Sequence, residues 1–116
     1  MNELFDAAWP EHSWWNFGQV LDRSLGYVCV YHEHRLVGFV NLAWDGGAYA
    51  FLIDTTVHPG LRRRGIGKRL AREAAAVARE HRVAWLHVDF EPSLRSFYRR
   101  CGFRRTEAGL MQLRYG

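Results

Sequence analysis

The sequence predicts an α+β fold in which a mixed, mostly antiparallel central sheet carries one β-strand–α-helix–β-strand unit. Runs of β-branched and aromatic residues separated by short polar turns begin at residue 27 and predict antiparallel strands. The hydrophobic period then becomes helical in an Ala-rich segment, and a further strand-like run follows. Because a strand, a helix and a strand in succession usually form a crossover between parallel strands, the sheet must be mixed. Such a sheet binds ligands beyond the carboxyl ends of its strands.

The composition is that of one globular domain over residues 1–116, with 48% hydrophobic and 24% charged residues. No apolar run approaches the ~20 residues of a membrane span. The first residues lack the basic and apolar regions of a signal peptide. Cys29 and Cys101 form no C-x-x-C pair, which indicates reduced thiols. We therefore expect a cytoplasmic protein, and its net charge of +4 permits an anionic partner without identifying one.

The first half of the chain predicts two short helices and then a set of hairpins. The hairpins follow from the polar turn after the first strand and from the Asp45-Gly46-Gly47 turn after the second. The predicted helices span residues 3–8 and 15–22, and the predicted strands span residues 27–31, 36–44 and 48–57.

The second half predicts a long amphipathic helix over residues 65–82, because apolar residues recur there at helical spacing. Its alanines would let it lie close to the sheet. Ser93 is the predicted N-cap of a short helix that ends at Arg100, and Gly102 is its predicted stop. The remaining predicted strands span residues 83–90, 103–106 and 110–115.

Two glycines and a cluster of cations mark the start of the long helix. Gly65 and Gly67 lie in its first turn, where backbone N–H groups lack intrahelical acceptors and the helix dipole favours an anion. Without side chains, these residues would let a ligand approach the backbone closely. The surrounding cations are Arg62, Arg63, Arg64 and Lys68. This junction predicts a phosphate or pyrophosphate site, and the alternative is a solvated loop with surface arginines.

Two common nucleotide-binding motifs do not fit this junction. The sequence has no G-x-x-x-x-G-K-[ST], and Leu70 stands at the third glycine position of G-x-G-x-x-G. A nucleotide kinase or a dinucleotide-dependent dehydrogenase is therefore disfavoured.

Two motifs together resemble the GCN5-related N-acetyltransferases, the GNAT superfamily. Residues 62–67, RRRGIG, resemble the R/Q-x-x-G-x-G/A signature of that family, and residues 96–103, SFYRRCGF, resemble its F-Y-x-x-x-G-F segment. The motifs have the family's order and separation, and the resemblance covers about residues 36–103. It implies the GNAT fold, acetyl-CoA as the co-substrate with its pyrophosphate at the glycine turn, and no metal.

The resemblance also implies roles for individual residues. The strand end at residues 55–57 would bond the pantetheine arm and the acetyl carbonyl through its backbone. Tyr98 matches the tyrosine that can donate a proton to the departing thiolate, although an aromatic core residue is the alternative. Glu91 stands where many relatives have an asparagine that touches the cofactor, so an acid could face a substrate amine there instead. The predicted cofactor-binding residues are Thr55, Thr56, Val57, Arg62, Arg63, Arg64, Gly65, Ile66, Gly67, Lys68 and Glu91.

Acetyl transfer to an amine also needs a base, and two residues are candidates. His87 shares a strand face with Trp85 and Asp89 and lies where some relatives place a catalytic glutamate. An imidazole can accept a proton at neutral pH, although a packed strand histidine is an equal alternative. Asp54 interrupts an apolar strand, which is costly unless the carboxylate is paired or functional. A bond from Asp54 to a backbone group or an arginine is the alternative.

The resemblance thus predicts an N-acetyltransferase that moves the acetyl group of acetyl-CoA directly to a primary amine in a ternary complex. The alternative is a non-catalytic acyl-CoA-binding sensor. The expected partner is a small-molecule or peptide amine, and a second copy of the chain could complete the acceptor side. A membrane partner is not expected, because no apolar run is long enough to span a bilayer. A nucleic-acid partner is not expected either, because the cations cluster at one turn and do not interleave with aromatic residues. His32 and His34 lack a third metal ligand.

Overall fold

A computed structural model describes Leu4 and residues 21–22, 24–62 and 64–114. The helices predicted over residues 3–8 and 15–22 lie outside this part of the chain, except for Leu4 and residues 21–22. Leu4 is buried against Phe39 on one face of the sheet, where Leu21, Cys29 and Leu36 also pack.

Four strands form one mixed sheet in the order β1-β2-β3-β4. The first three pair antiparallel, and β3 pairs parallel with β4. The strands are β1 (Gly26–His32), β2 (Arg35–Trp44), β3 (Tyr49–Val57) and β4 (Trp85–Val88). The predicted α+β class, with its mostly antiparallel sheet and a single parallel crossover, is confirmed.

Helix α1 (Ile66–Glu80) covers the other face of the sheet and forms the main core. Because three of its four buried residues are alanines, its backbone can lie close to the strands. Gly38 of β2 also allows this approach, since a Cβ at Gly38 would lie 2.9 Å from the Ile66 side chain. The buried residues of α1 are Leu70, Ala71, Ala74 and Ala78, and they pack against Val40, Leu42, Ala50 and Leu52.

A short helix α2 (Arg95–Arg100) follows a single 3-10 turn, Pro92–Leu94. The prediction that Ser93 caps α2 is wrong, because Ser93 lies inside the 3-10 turn and Leu94 takes the cap position without a side-chain hydrogen bond. The prediction that Gly102 ends the helix is confirmed. Gly102 adopts φ 100°, and the Phe103 amide donates to the Tyr98 carbonyl at 3.1 Å, as in a Schellman motif. None of the described helices has the length and apolar character needed to cross a bilayer.

The two final strands predicted over residues 103–106 and 110–115 are wrong for the residues that the structure describes. Residues 103–114 form no strand. The reason is physical: a strand requires a neighbour for its backbone hydrogen bonds, and this segment has none in the described part of the chain. Its apolar side chains Leu110, Met111 and Leu113 are therefore 83–89% exposed.

Candidate active site

β3 contains a bulge at a point where the sequence predicts a continuous strand. Asn41 pairs with Ile53 while Phe39 pairs with Thr56, so three steps along β3 match two along β2. Asp54 adopts φ 57°, and the Thr56 hydroxyl donates to the Asp54 carbonyl oxygen at 2.8 Å. Aspartate is one of the few residues besides glycine that tolerates this left-handed conformation. The bulge turns the backbone of β3 out of the regular ladder.

β3 and β4 separate just before this bulge. Their parallel pairing ends with Leu52 and Val88, whereas β3 continues to Val57. Within the described residues, the last part of β3 therefore has no partner on β4. The opening lies at the carboxyl ends of the parallel strands, where such sheets bind ligands. The predicted cofactor-binding residues on its β3 side are Thr55, Thr56 and Val57.

Tyr98 of α2 meets β3 at the bulge. The residue is 5% exposed, and its ring centroid lies 4.7 Å from Phe90, 5.0 Å from Phe97 and 5.8 Å from Phe103. The side chain of Thr55 lies beside the Tyr98 hydroxyl. Burial raises the pKa of Tyr98 above its ordinary value, and the neighbouring Thr55 side chain offsets part of that rise. The phenol therefore stays protonated at neutral pH and can act as a proton donor.

Asp54 is half-buried, and its carboxyl group makes no hydrogen bond or ion pair with a described residue. Neither an arginine nor a backbone group in this part of the chain therefore accounts for its position in an apolar strand. Burial raises the pKa of Asp54 above its ordinary value of 3.8. A carboxylate with a raised pKa is a better proton acceptor than an exposed one.

We expect Asp54→Asn to increase the free energy of unfolding at pH 7. The pKa of Asp54 is higher in the folded chain than in the unfolded chain, so the stability that its neutral form provides is lost as pH rises through the folded pKa. Asparagine stays neutral and also tolerates φ 57°. Urea unfolding at several pH values should show that the advantage of the variant shrinks as pH falls through the raised pKa of the folded chain, and that it is lost below 3.8, where Asp54 is neutral in both the folded and the unfolded chain. Glu80→Gln, which changes an exposed carboxylate, is the control. If Asp54→Asn raised the free energy of unfolding by the same amount at every pH, the burial effect would be contradicted.

The start of α1 leaves its first backbone amides uncapped by side chains. Gly65 takes the N-cap position at φ 78°, and the first turn holds no acidic residue. The first intrahelical hydrogen bond runs from the Arg69 amide to the Gly65 carbonyl at 3.1 Å, so the three preceding amides have no acceptor within the helix. Nothing lies within 4 Å of the position that a Gly65 Cβ would occupy. The described cations at this turn are the exposed residues Arg62, Arg64 and Lys68, and Arg63 lies outside the described residues.

Gly67 has a packing role that the sequence did not predict. A Cβ at Gly67 would lie 3.1 Å from the Cζ atom of Phe97. The missing side chain therefore lets α2 pack against the first turn of α1, which keeps Tyr98 beside β3. The open space at Gly65 would let a ligand come close to the backbone at the start of α1. The space beside Gly67 is instead taken by the ring of Phe97.

His87 lies on β4 and is surrounded by aromatic rings. Its ring stacks on Phe51 at a centroid distance of 5.0 Å and tilts against Tyr49 at 5.6 Å. Its Nε2 atom is buried and has no hydrogen-bond partner among the described residues. His87 pairs with Phe51, one position before the last pair of the β3–β4 ladder. The structure thus places His87 near the strand opening, but it shows no contact with Thr55 or Tyr98.

Two carboxylates follow β4. Glu91 is exposed at the start of the 3-10 turn, and its side chain caps no helix. Asp89 lies close enough to Tyr98 for its charge to contribute to the raised pKa of the phenol. No role of its own was predicted for Asp89, although the strand face that it shares with His87 was a usable signal. The described residues contain no group of three side chains that could hold a metal ion.

Comparisons with known proteins identify the family and the fold of the chain. Residues 1–103 match the Acetyltransferase (GNAT) family. A mycothiol acetyltransferase of Mycolicibacterium vanbaalenii is 40% identical over 80 residues, which are 65% of this chain and 26% of that protein. The chain spans less than half the length of the curated relatives that it matches, 44% of one and 26% of another.

Solved structures show the same fold. A GNAT family acetyltransferase, SP0256 of Streptococcus pneumoniae, superposes with a TM-score of 0.77 at 25% identity, over 97% of this chain and 89% of that one. An acetyltransferase structure from Bacillus anthracis in complex with acetyl coenzyme A gives a TM-score of 0.60 at 26% identity, over 66% of this chain and 45% of that one. The bulged strand, the glycine turn and the match over most of the chain lead to one conclusion: this chain belongs to the GNAT acetyltransferase family.

Proposed function

We propose that this protein is an N-acetyltransferase that transfers the acetyl group of acetyl-CoA directly to a primary amine within a ternary complex. The observation that carries the proposal is the position of the buried Tyr98 phenol beside the Thr55 side chain, because Thr55 lies at the bulge where β3 and β4 separate. A proton donor and the backbone of a strand end that β4 does not pair thus meet at one point. Direct acyl transfer from a thioester needs both of these groups.

The cofactor side is the start of α1. The uncapped amides there and the exposed side chains of Arg62, Arg64 and Lys68 suit the pyrophosphate of acetyl-CoA. The open space at Gly65 lets that group approach the backbone. The last residues of β3 would hold the pantetheine arm through their amides and carbonyls, which lack a β4 partner within the described residues.

The chemistry uses three groups of this chain. When bound, acetyl-CoA supplies an acetyl group as a thioester. A β3 amide polarises the acetyl carbonyl, and Asp54 takes one proton from the ammonium group of the acceptor so that its nitrogen can attack. A C–N bond forms, the C–S bond breaks, and Tyr98 gives its phenolic proton to the departing sulfur. The second proton of the nitrogen restores Tyr98, and Asp54 returns its proton to solvent.

We assign the base role to Asp54 in preference to His87. Asp54 adjoins Thr55, which contacts Tyr98, and burial raises the pKa of its carboxyl group. The ring of His87 is instead packed against Phe51 and Tyr49. His87 would then form part of the surface that meets the acceptor.

Free thiol release from acetyl-CoA across a panel of small amines and peptides tests the proposal. We expect release that depends on one class of amine and equals the amount of acetylated amine found by mass spectrometry. Calorimetry measures coenzyme A binding by itself, so that binding can be compared with thiol release. Binding of coenzyme A without release for any amine would favour the non-catalytic sensor, and absence of binding would contradict both functions.

A further inference from the structure

We propose that the acceptor of the acetyl group is a primary amine with an uncharged aromatic body, and that this body lies on the stacked rings of Phe51 and His87. The proposal rests on the acetyl transfer proposed above and names the substrate class of that site. Three observations carry it. The two rings share the sheet face opposite α1, they lead to the bulge of β3, and acidic groups lie at the bulge end.

Phe51 and His87 form a flat surface on the sheet face opposite α1, here called the ring platform. They pair across β3 and β4, and their rings stack at a centroid distance of 5.0 Å. Because side chains alternate along a strand, both point away from the residues on either side of them. Those neighbours pack in the core that α1 forms: Ala50, Leu52, Leu86 and Val88.

The ring platform offers aromatic surface to a ligand. The Phe51 side chain is 39% exposed, and His87 is partly exposed. The Nε2 atom of His87 is buried and has no hydrogen-bond partner among the described residues. Since a buried nitrogen cannot bond to a ligand at the surface, His87 presents the rest of its ring instead. A flat aromatic body stacks favourably on such rings.

The ring platform leads to the groups proposed to react. Ile53 is the next residue of β3 on the same face, and the bulge with Asp54 follows it. Asp54 comes three residues after Phe51, which corresponds to about 10 Å along a strand at about 3.3 Å per residue. An aromatic ring over Phe51 and a short alkyl linker span most of this distance. The amine at the end of the linker then reaches Asp54.

The charges at the two ends of the ring platform favour a single ammonium group at the bulge. Asp54 lies at that end, and Asp89 is close enough for its charge to act on the Tyr98 phenol. At the other end, the Arg104 guanidinium lies 5.2 Å from the centre of the Trp85 ring. This cation already occupies the Trp85 ring and would repel a second ammonium group on the acceptor.

The two substrates would meet at the strand opening from opposite faces of the sheet. Helix α1 covers one face, and its uncapped start is the proposed pyrophosphate site. The ring platform lies on the other face. The body of the acceptor therefore does not compete with acetyl-CoA for space, which direct transfer in a ternary complex requires.

Steady-state thiol release with phenethylamine, n-propylamine and 1,4-diaminobutane tests the proposal. We expect kcat/KM for phenethylamine to exceed that for either other amine at least about 10-fold, because only phenethylamine covers the ring platform. Phe51→Ala should lower kcat/KM for phenethylamine at least about 10-fold, mainly by raising KM, and should leave the value for n-propylamine within about twofold. Each variant is compared with wild type on the same amine, so differences in amine basicity cancel.

Tyr31→Ala is the matched control, because Tyr31 is an aromatic residue that is 65% exposed on β1, at the opposite edge of the sheet. It should leave kcat/KM unchanged for every amine. Calorimetry with coenzyme A shows that both variants are folded. The proposal would be overturned if n-propylamine or 1,4-diaminobutane were used as well as phenethylamine, or if Phe51→Ala lowered kcat/KM equally for both monoamines.

Binding without turnover separates the ring platform from the proposed acetyl transfer. Calorimetry with phenethylamine and the coenzyme A complex should show binding that Phe51→Ala weakens at least about 10-fold. If phenethylamine bound in this way but no amine released thiol, acetyl transfer would be contradicted and the ring platform would stand. If other amines released thiol but phenethylamine did not bind, the ring platform alone would be overturned. Neither binding nor release would contradict both.

Discussion

Tyr98→Phe is expected to lower kcat by about 10²–10⁴-fold while the affinity for acetyl-CoA changes little. The substitution removes one hydroxyl group and keeps the ring that packs against Phe90, Phe97 and Phe103. What it removes is the proton for the departing sulfur and the polar contact of the hydroxyl group with Thr55. Steady-state thiol release and calorimetry with coenzyme A measure the two effects separately.

Tyr49→Phe is the matched control, because Tyr49 loses the same hydroxyl from a residue that is 45% exposed on β3. It should leave kcat within about twofold. The pH profile adds a second readout: Tyr98 must be protonated to act, and burial raises its pKa above 10.0, so wild-type activity should persist on the alkaline side until the phenol ionises. Equal turnover by Tyr98→Phe and wild type would remove Tyr98 as the acid.

The sequence predicted the sheet and α1 because both depend on local periodicity. The β-branched and aromatic runs of β2 and β3, the Ala-rich helical stripe and the order of elements indicate which strands can pair and which pair is parallel. The predicted position of the glycine turn follows from the same logic. Gly65, at φ 78°, lies where the helical period begins.

The bulge in β3 could not be predicted in this way. Asp54 is the one residue that departs from strand composition in the run Phe51-Leu52-Ile53-Asp54-Thr55, and the extra residue of the bulge appears only in the register with β2. The contact between Thr55 and Tyr98 also depends on the tertiary placement of α2, which Gly67 permits by leaving room for Phe97. Sequence motifs identified the participants, but the distances between them depend on packing.

The C-terminal segment also shows that a local apolar pattern alone does not produce a strand. The residues around Leu110 and Leu113 have the apolar pattern of a strand, yet they form none in the single copy. Strand propensity reflects how a side chain fits a pleated, partly covered surface, so it is realised only where a neighbouring strand exists. Two final strands were therefore predicted from composition alone, and the described residues offer them no neighbouring strand.

Gly65→Val is expected to weaken coenzyme A binding by at least about 100-fold, which corresponds to about 2.8 kcal/mol. Two effects combine. The valine side chain would enter the open space above the uncapped amides of α1, where the pyrophosphate is proposed to lie. A β-branched residue also tolerates φ 78° poorly, so the turn would shift and the amides would lose their alignment. Isothermal calorimetry with coenzyme A measures the loss.

Gly46→Val separates the loss of binding from general strain. Gly46 has φ 86° and, like Gly65, nothing within 4 Å of its Cβ position, but it lies in the turn between β2 and β3. Both substitutions should therefore lower the free energy of unfolding by a similar amount, about 1–2 kcal/mol, because each forces a side chain into the left-handed region. Only Gly65→Val should lose coenzyme A, since only its added side chain meets the ligand. If the two variants bound coenzyme A equally well, the anion at the start of α1 would have to lie elsewhere, and the orientation of the thioester towards Tyr98 would lose its support.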